Sequence, residues 1–131
     1  MEFSHFFEMA EALKNRIIHN KEEICLRTAI NRLHYGIFHA VITTFNIRFI
    51  TQEEKKCCHE IVGKKIKDVF QDQALTNMYY SLEEWRNHAD YDLSKPITAS
   101  NYRNALELKD ELISNITGSV AYIPPYDSNG D

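Results

Sequence analysis

The chain has 131 residues, enough for one domain built around a single core. Hydrophobic residues make up 44% and charged residues 26%, with only four glycines and three prolines; this excludes collagen-like and Pro/Gly-rich disordered chains and disfavours a many-turned β domain. The net charge of −4 argues against a nucleic-acid binder that works by bulk charge, but leaves room for a local basic groove.

No apolar run approaches the ~18 residues that a membrane helix needs, and Met1 to His5 do not open a secretory signal. Cys25, Cys57 and Cys58 are odd in number, and the adjacent pair would bond to itself only with strain. Free thiols in a reducing cytoplasm, with no membrane attachment, are the expectation.

In chain order, the first helix is expected from Phe3 to about Ile18, with Phe6, Phe7, Ala10 and Leu13 at helical spacing. Asn20 offers an N-cap for a second helix from about Lys21 to Phe45, with Glu22 and Glu23 where the positive end of the dipole favours acid. Thr51 and Glu54 form a capping box for a third helix, Gln52 to Phe70. A fourth helix fits Asp72 to about Asp90, and Tyr91 to Thr98 reads as a loop around Ser94-Lys95-Pro96. A fifth helix runs from about Ala99 to Ile116 and stops at Gly118. The expected architecture is all-α, a five-helix bundle over residues 1–120 with a flexible tail from 121 to 131.

The second helix is apolar on most sides, which marks it as the central helix of the bundle or as part of a dimer interface. Leu26, Ala29, Ile30, Leu33, Ile37, Ala40 and Val41 form one stripe, and Ile24, Phe38, Ile42 and Phe45 occupy much of the opposite side. It also carries Arg27, Asn31, Arg32, His34, Tyr35 and His39, so these polar groups either line a groove or meet acids from another helix. Arg27 with His34 and Arg32 with His39 are two turns apart and share a side; buried hydrogen bonding within the bundle is the plain reading of each pair. In the fourth helix Arg86 falls on the apolar face, with Asp90 one turn on as an ion-pair partner and Tyr91 beside it. An inward guanidinium near a helix end suits an anion or phosphate clamp. His88 points to the other side of that helix.

Two segments together resemble a known pattern. Arg27-Thr28-Ala29-Ile30-Asn31-Arg32-Leu33-His34-Tyr35-Gly36-Ile37-Phe38-His39-Ala40 resembles the R-x-A-x-x-R-x-Y-Y-x-x-F-H-A helix of small prokaryotic HEPN-domain proteins, with His34 in place of the first Tyr. Trp85-Arg86-Asn87-His88-Ala89-Asp90-Tyr91-Asp92 resembles the R-x-x-A-D-Y helix end of the same group, and His59 falls where that group often has a histidine before a small apolar run. The resemblance covers roughly residues 3–117. It implies a HEPN-like bundle, commonly a homodimer, often paired with a nucleotidyltransferase partner in a toxin–antitoxin or defence setting. Many members are metal-independent ribonucleases, and others bind RNA or a partner without cleaving. Active members place an Arg, a polar residue and, a few residues on, a His. Arg86 and Asn87 match the start, but the places for the histidine hold Tyr91, Asp92 and Leu93. A degenerate motif with weak or absent nuclease activity is the expectation. The alternatives are an active ribonuclease that pairs Arg86 with His34 or His39, and a purely structural dimerisation module.

The candidate catalytic residues are therefore Arg86, Asn87, Asp90, His34 and His39, and the candidate RNA contacts are Arg27, Arg32, Lys64, Lys65 and Tyr91. Lys64 and Lys65 belong to the densest basic cluster of an acidic chain. Cys57-Cys58-His59-Glu60 resembles a ligand cluster, but neighbours on one helix point ~100° apart and cannot close around one ion. Cys58, His59, Val62 and Ile66 are expected to form a packed face with a satisfied histidine. No metal and no cofactor is expected.

Overall fold

The computed structural model describes residues 3–15 and 22–121. Six helices occupy them: α1 (Phe3–Asn15), α2 (Glu22–Phe45), α3 (Gln52–Lys56), α4 (Cys58–Phe70), α5 (Gln73–Tyr91) and α6 (Ala99–Ala121). No strand occurs among the described residues, and the domain is all-α. The Asn20 cap, Lys21, the end of the first segment near Ile18, the side chain of Leu13 and the tail from 122 onward lie outside the described residues.

Two boundaries depart from the sequence reading. The expected third helix is two helices, so the bundle has six rather than five. Thr51 and Glu54 do form the capping box, but the turn that they seed, α3, buries no residue. Cys57 leaves helical geometry at φ −101 and ψ 20, and α4 restarts at Cys58. Val62, Gly63 and Ile66 are buried in α4, whereas α3 buries no residue. The second departure is at Gly118, which does not stop α6. A glycine ends a helix by adopting positive φ, and no described glycine does so. Asn46 and Gln71 supply the left-handed positions instead, just past α2 and α4.

The all-round apolar α2 is the central helix. It packs against α1, α5 and α6, and touches α4. Its expected stripe, from Leu26 to Val41, is buried throughout. A fully buried Ile or Leu side chain of this kind contributes ~1.5–3 kcal/mol. On its other side Phe38 is buried, Ile42 and Phe45 are half-buried, and Ile24 is exposed. Gly36 lets α1 approach α2, since a Cβ there would collide with the ring of Phe7. α4 reaches the core mainly through α5, where Val62 and Ile66 join Leu75, Tyr79 and Leu82. No helix of the described residues is long and apolar enough to cross a membrane.

Candidate functional site

The polar residues of α2 face α5, and they divide into three groups that the sequence does not separate. The first is Arg27. The last carbonyls of a helix have no partner within it, and a cation there meets the negative end of the dipole. Arg27 Nη1 donates to the carbonyls of His88, Ala89 and Asp92 at 3.1, 3.0 and 3.2 Å, and Nη2 donates to the carbonyl of Lys95. Its Nε and Nη2 also hold Glu23 Oε2 at 3.0 and 2.8 Å. All five N–H donors have partners in this arrangement. Arg27 is a clasp for the end of α5 and the loop after it, and as an RNA contact it has nothing left to offer. Nor does it pair with His34, the buried partner suggested by their spacing.

The second group joins two guanidinium groups through two short side chains. Arg32 Nη1 donates to Asn31 Oδ1 at 2.9 Å, and Asn31 Nδ2 donates to Asp90 Oδ2 at 2.9 Å. The same Asp90 oxygen lies 3.1 Å from Arg86 Nε, an ion pair of the expected i,i+4 kind. Arg86 Nη1 donates to Asn87 Oδ1 at 3.1 Å, and Nη2 reaches the Tyr35 hydroxyl at 3.4 Å. The Arg86 guanidinium also lies against two rings, 5.5 Å from the centroid of Tyr35 and 5.7 Å from that of Tyr91. Tyr91 is 73% exposed, whereas the Arg86 side chain beneath it is only 12% exposed. Arg32, Arg86, Asn87, Asp90 and Tyr91 are thus brought together across α2 and α5. Unlike Arg27, both arginines keep N–H donors with no hydrogen bond to the described residues, the buried Nε of each among them.

The third group is deeper, beside Arg86. Glu83, Arg86 and Asp90 share a face of α5 because they are three and four residues apart. Across from Glu83 stand His34 of α2 and His59 of α4, with ring centroids 5.0 Å apart. His34 is fully buried among Tyr35, Phe38, His59 and Tyr79, and neither ring nitrogen has a hydrogen-bond partner. His59 Nδ1 is buried without a hydrogen bond, 4.0 Å from Glu83 Oε2. The satisfied histidine expected at His59 is therefore not what the fold builds. Burial, reinforced by His59 and Arg86, drives the His34 pKa down to about 3. Burial first and Arg86 second also lower His59. Burial raises Glu83, against the pull of Arg86 and with a further push from Glu60. The Tyr79 hydroxyl, buried and unpartnered as well, is pushed well above the ordinary phenol range by its burial.

Three of the expected contributors, His39, Lys64 and Lys65, lie elsewhere. His39 stacks on Phe6 of α1, with centroids 5.0 Å apart and planes 8° from parallel. Among the described residues, Tyr35, 6.4 Å away, links it to the arginine cluster. Lys64 is exposed on α4 and lines a shallow depression with Gly63, Lys67, Thr76 and Tyr80, apart from Arg32 and Arg86. Lys65 is half-buried on the same helix. His88 turns away from Arg86 as its spacing requires, stacking on Trp85 and standing 3.9 Å from Asp92. Sequence reasoning missed Glu83 altogether and misjudged His59. The one available signal was the inward face shared by Glu83 and Arg86; the approach of α4 has no counterpart in local spacing. No protein-family model matches the chain, and no curated protein or solved structure matches it.

Proposed function

We propose that the chain is a HEPN-like helical module that binds RNA at the Arg32–Arg86 cluster, with a degenerate nuclease motif. The observation that carries this reading is the relay Arg32–Asn31–Asp90–Arg86, which fixes two cations from two helices relative to each other. Two preset guanidinium groups with free donors suit successive phosphates of a backbone. The exposed Tyr91 ring beside Arg86 offers a stacking surface for a base. The likeness of the two motifs to HEPN proteins supports a homodimer and a nucleotidyltransferase partner in a toxin–antitoxin or defence pair.

Binding is favoured over cleavage by the state of the histidines. A general acid–base needs a pKa near the working pH. His34 is closed off from solvent with a pKa of about 3, and His39 is packed on Phe6. Neither is placed to exchange a proton with a substrate held by Arg86.

The test is fluorescence anisotropy with a labelled single-stranded RNA at low salt. Arg86→Ala and Arg32→Ala are each expected to weaken binding about tenfold, the scale of a lost charge-assisted hydrogen bond. The Lys64→Ala, Lys65→Ala double variant should bind within about threefold of wild type, since those lysines contribute only diffuse attraction. Absence of wild-type binding, or equal binding by the arginine variants, sinks the proposal.

A further inference from the structure

We infer that His34, His59 and Glu83 form a binding site for a divalent transition-metal ion of the zinc type. Each residue offers one ligand atom, and the three atoms lie within 4.8 Å of one another. They come from α2, α4 and α5, which fixes their positions by packing rather than by sequence spacing. Donors that sit ~2.1 Å from a tetrahedral ion stand about 3.4 Å apart, so closure asks each side chain to move by about an ångström or less. Side-chain torsions alone can supply such a shift.

Several observations point to a ligand here rather than to ordinary packing. His34 is wholly buried, yet both its ring nitrogens lack a hydrogen bond, and so does His59 Nδ1. A neutral imidazole always carries one N–H donor and one acceptor. Leaving such a group unpaired in a core costs about 1–3 kcal/mol, and here both nitrogens of His34, Nδ1 of His59 and the Tyr79 hydroxyl are orphaned together. A carboxylate completes the cluster in place of a hydrophobic side chain. Two imidazoles and one carboxylate are a donor set that suits zinc and its neighbours, and leave a further coordination position for water or an anion. Arg86 opposes a cation nearby, but Asp90 Oδ2 at 3.1 Å already offsets its charge. The partly exposed side chains of His59 and Glu83, at 25% and 22%, provide the way in.

The experiment uses the full chain, stripped with a chelator and titrated with Co²⁺ and then Zn²⁺ in the absence of RNA. One equivalent of Co²⁺ should bind with a tetrahedral visible spectrum, be displaced by Zn²⁺, and raise the melting temperature. His59→Gln and Glu83→Gln should each weaken binding by at least about 100-fold, beyond the usual effect of an outer-shell change. Both side chains are partly exposed, so these variants test the site even if the core variant His34→Gln does not fold. Cys57 and Cys58 immediately precede His59 and are the competing donors. The Cys57→Ser, Cys58→Ser double variant should bind as wild type. Absence of stoichiometric uptake, loss of uptake in the cysteine variant, or unchanged uptake in both His59→Gln and Glu83→Gln overturns the inference. Metal uptake and RNA binding are measured separately, so failure of one leaves the other standing.

Discussion

Two basic side chains on one helix, Arg27 and His34, are both buried, and they end in opposite circumstances. Arg27 finds a backbone carbonyl or the Glu23 carboxylate for every donor, whereas neither ring nitrogen of His34 has a partner. In the metal-free protein this makes His34 a source of pH-dependent stability. The groups that face it are His59 of α4 and Tyr79, Glu83 and Arg86 of α5. Folded, the imidazole stays neutral down to about pH 3; unfolded, it takes up a proton near its model value of 6.5. Below that value the unfolded chain binds more protons, so stability is full above it and falls as the pH drops toward the folded pKa. Denaturant unfolding should show a loss of about 2 kcal/mol from this group between about pH 7 and about pH 5. His34→Gln should remove that share of the loss; an equal pH dependence in the variant would contradict the account. The burial of His34 was legible in the stripe that surrounds it, but its lack of partners was not, because partners come from other helices.

At the scale of elements, two glycines set two helix contacts, and they predict different tolerances. A Cβ at Gly36 meets several ring atoms of Phe7, which α1 holds against α2. A Cβ at Gly63 meets the outer end of the Tyr80 ring, which is 41% exposed and free to swing away. Alanine gains about 1 kcal/mol of helix propensity at either position, while overpacking costs typically 1–3 kcal/mol where the neighbour cannot move. Gly36→Ala should therefore destabilise the fold by about 1–2 kcal/mol, and Gly63→Ala should be close to neutral, in urea titrations of both. The reverse order would show that Phe7 yields more easily than Tyr80. The start of α3 was legible from its capping box, Thr51 with Glu54, whereas Asp72, the expected first residue of the fourth helix, is the N-cap of α5 and accepts from the Leu75 amide at 3.1 Å. The break at Cys57 was not legible, since no proline, glycine or cap in the local sequence marks it.

At the scale of the molecule, an acidic chain with net charge −4 concentrates its proposed RNA contact in two arginines. Each phosphate neutralised on a single strand contributes a slope of about −0.7 to log K against log salt, so the whole slope should be about −1.4. A slope steeper than about −4 would reveal a wide basic surface instead. The central position of α2 was readable from its apolar circumference, and the Arg86–Asp90 pair from its spacing. The Arg32–Asn31–Asp90 link required knowing which residue of α5 lies opposite Asn31, and periodicity carries no such register.

The Arg27 clasp also bears on the order in which the chain is made. Its carbonyl partners lie 61 to 68 residues downstream. In synthesis from the N-terminus, the guanidinium emerges long before anything that it will finally hold. Glu23, one turn earlier on the same helix, is present from the start and contacts two of its nitrogens. The clasp therefore cannot close before Lys95 has been made, 68 residues after the arginine that it completes.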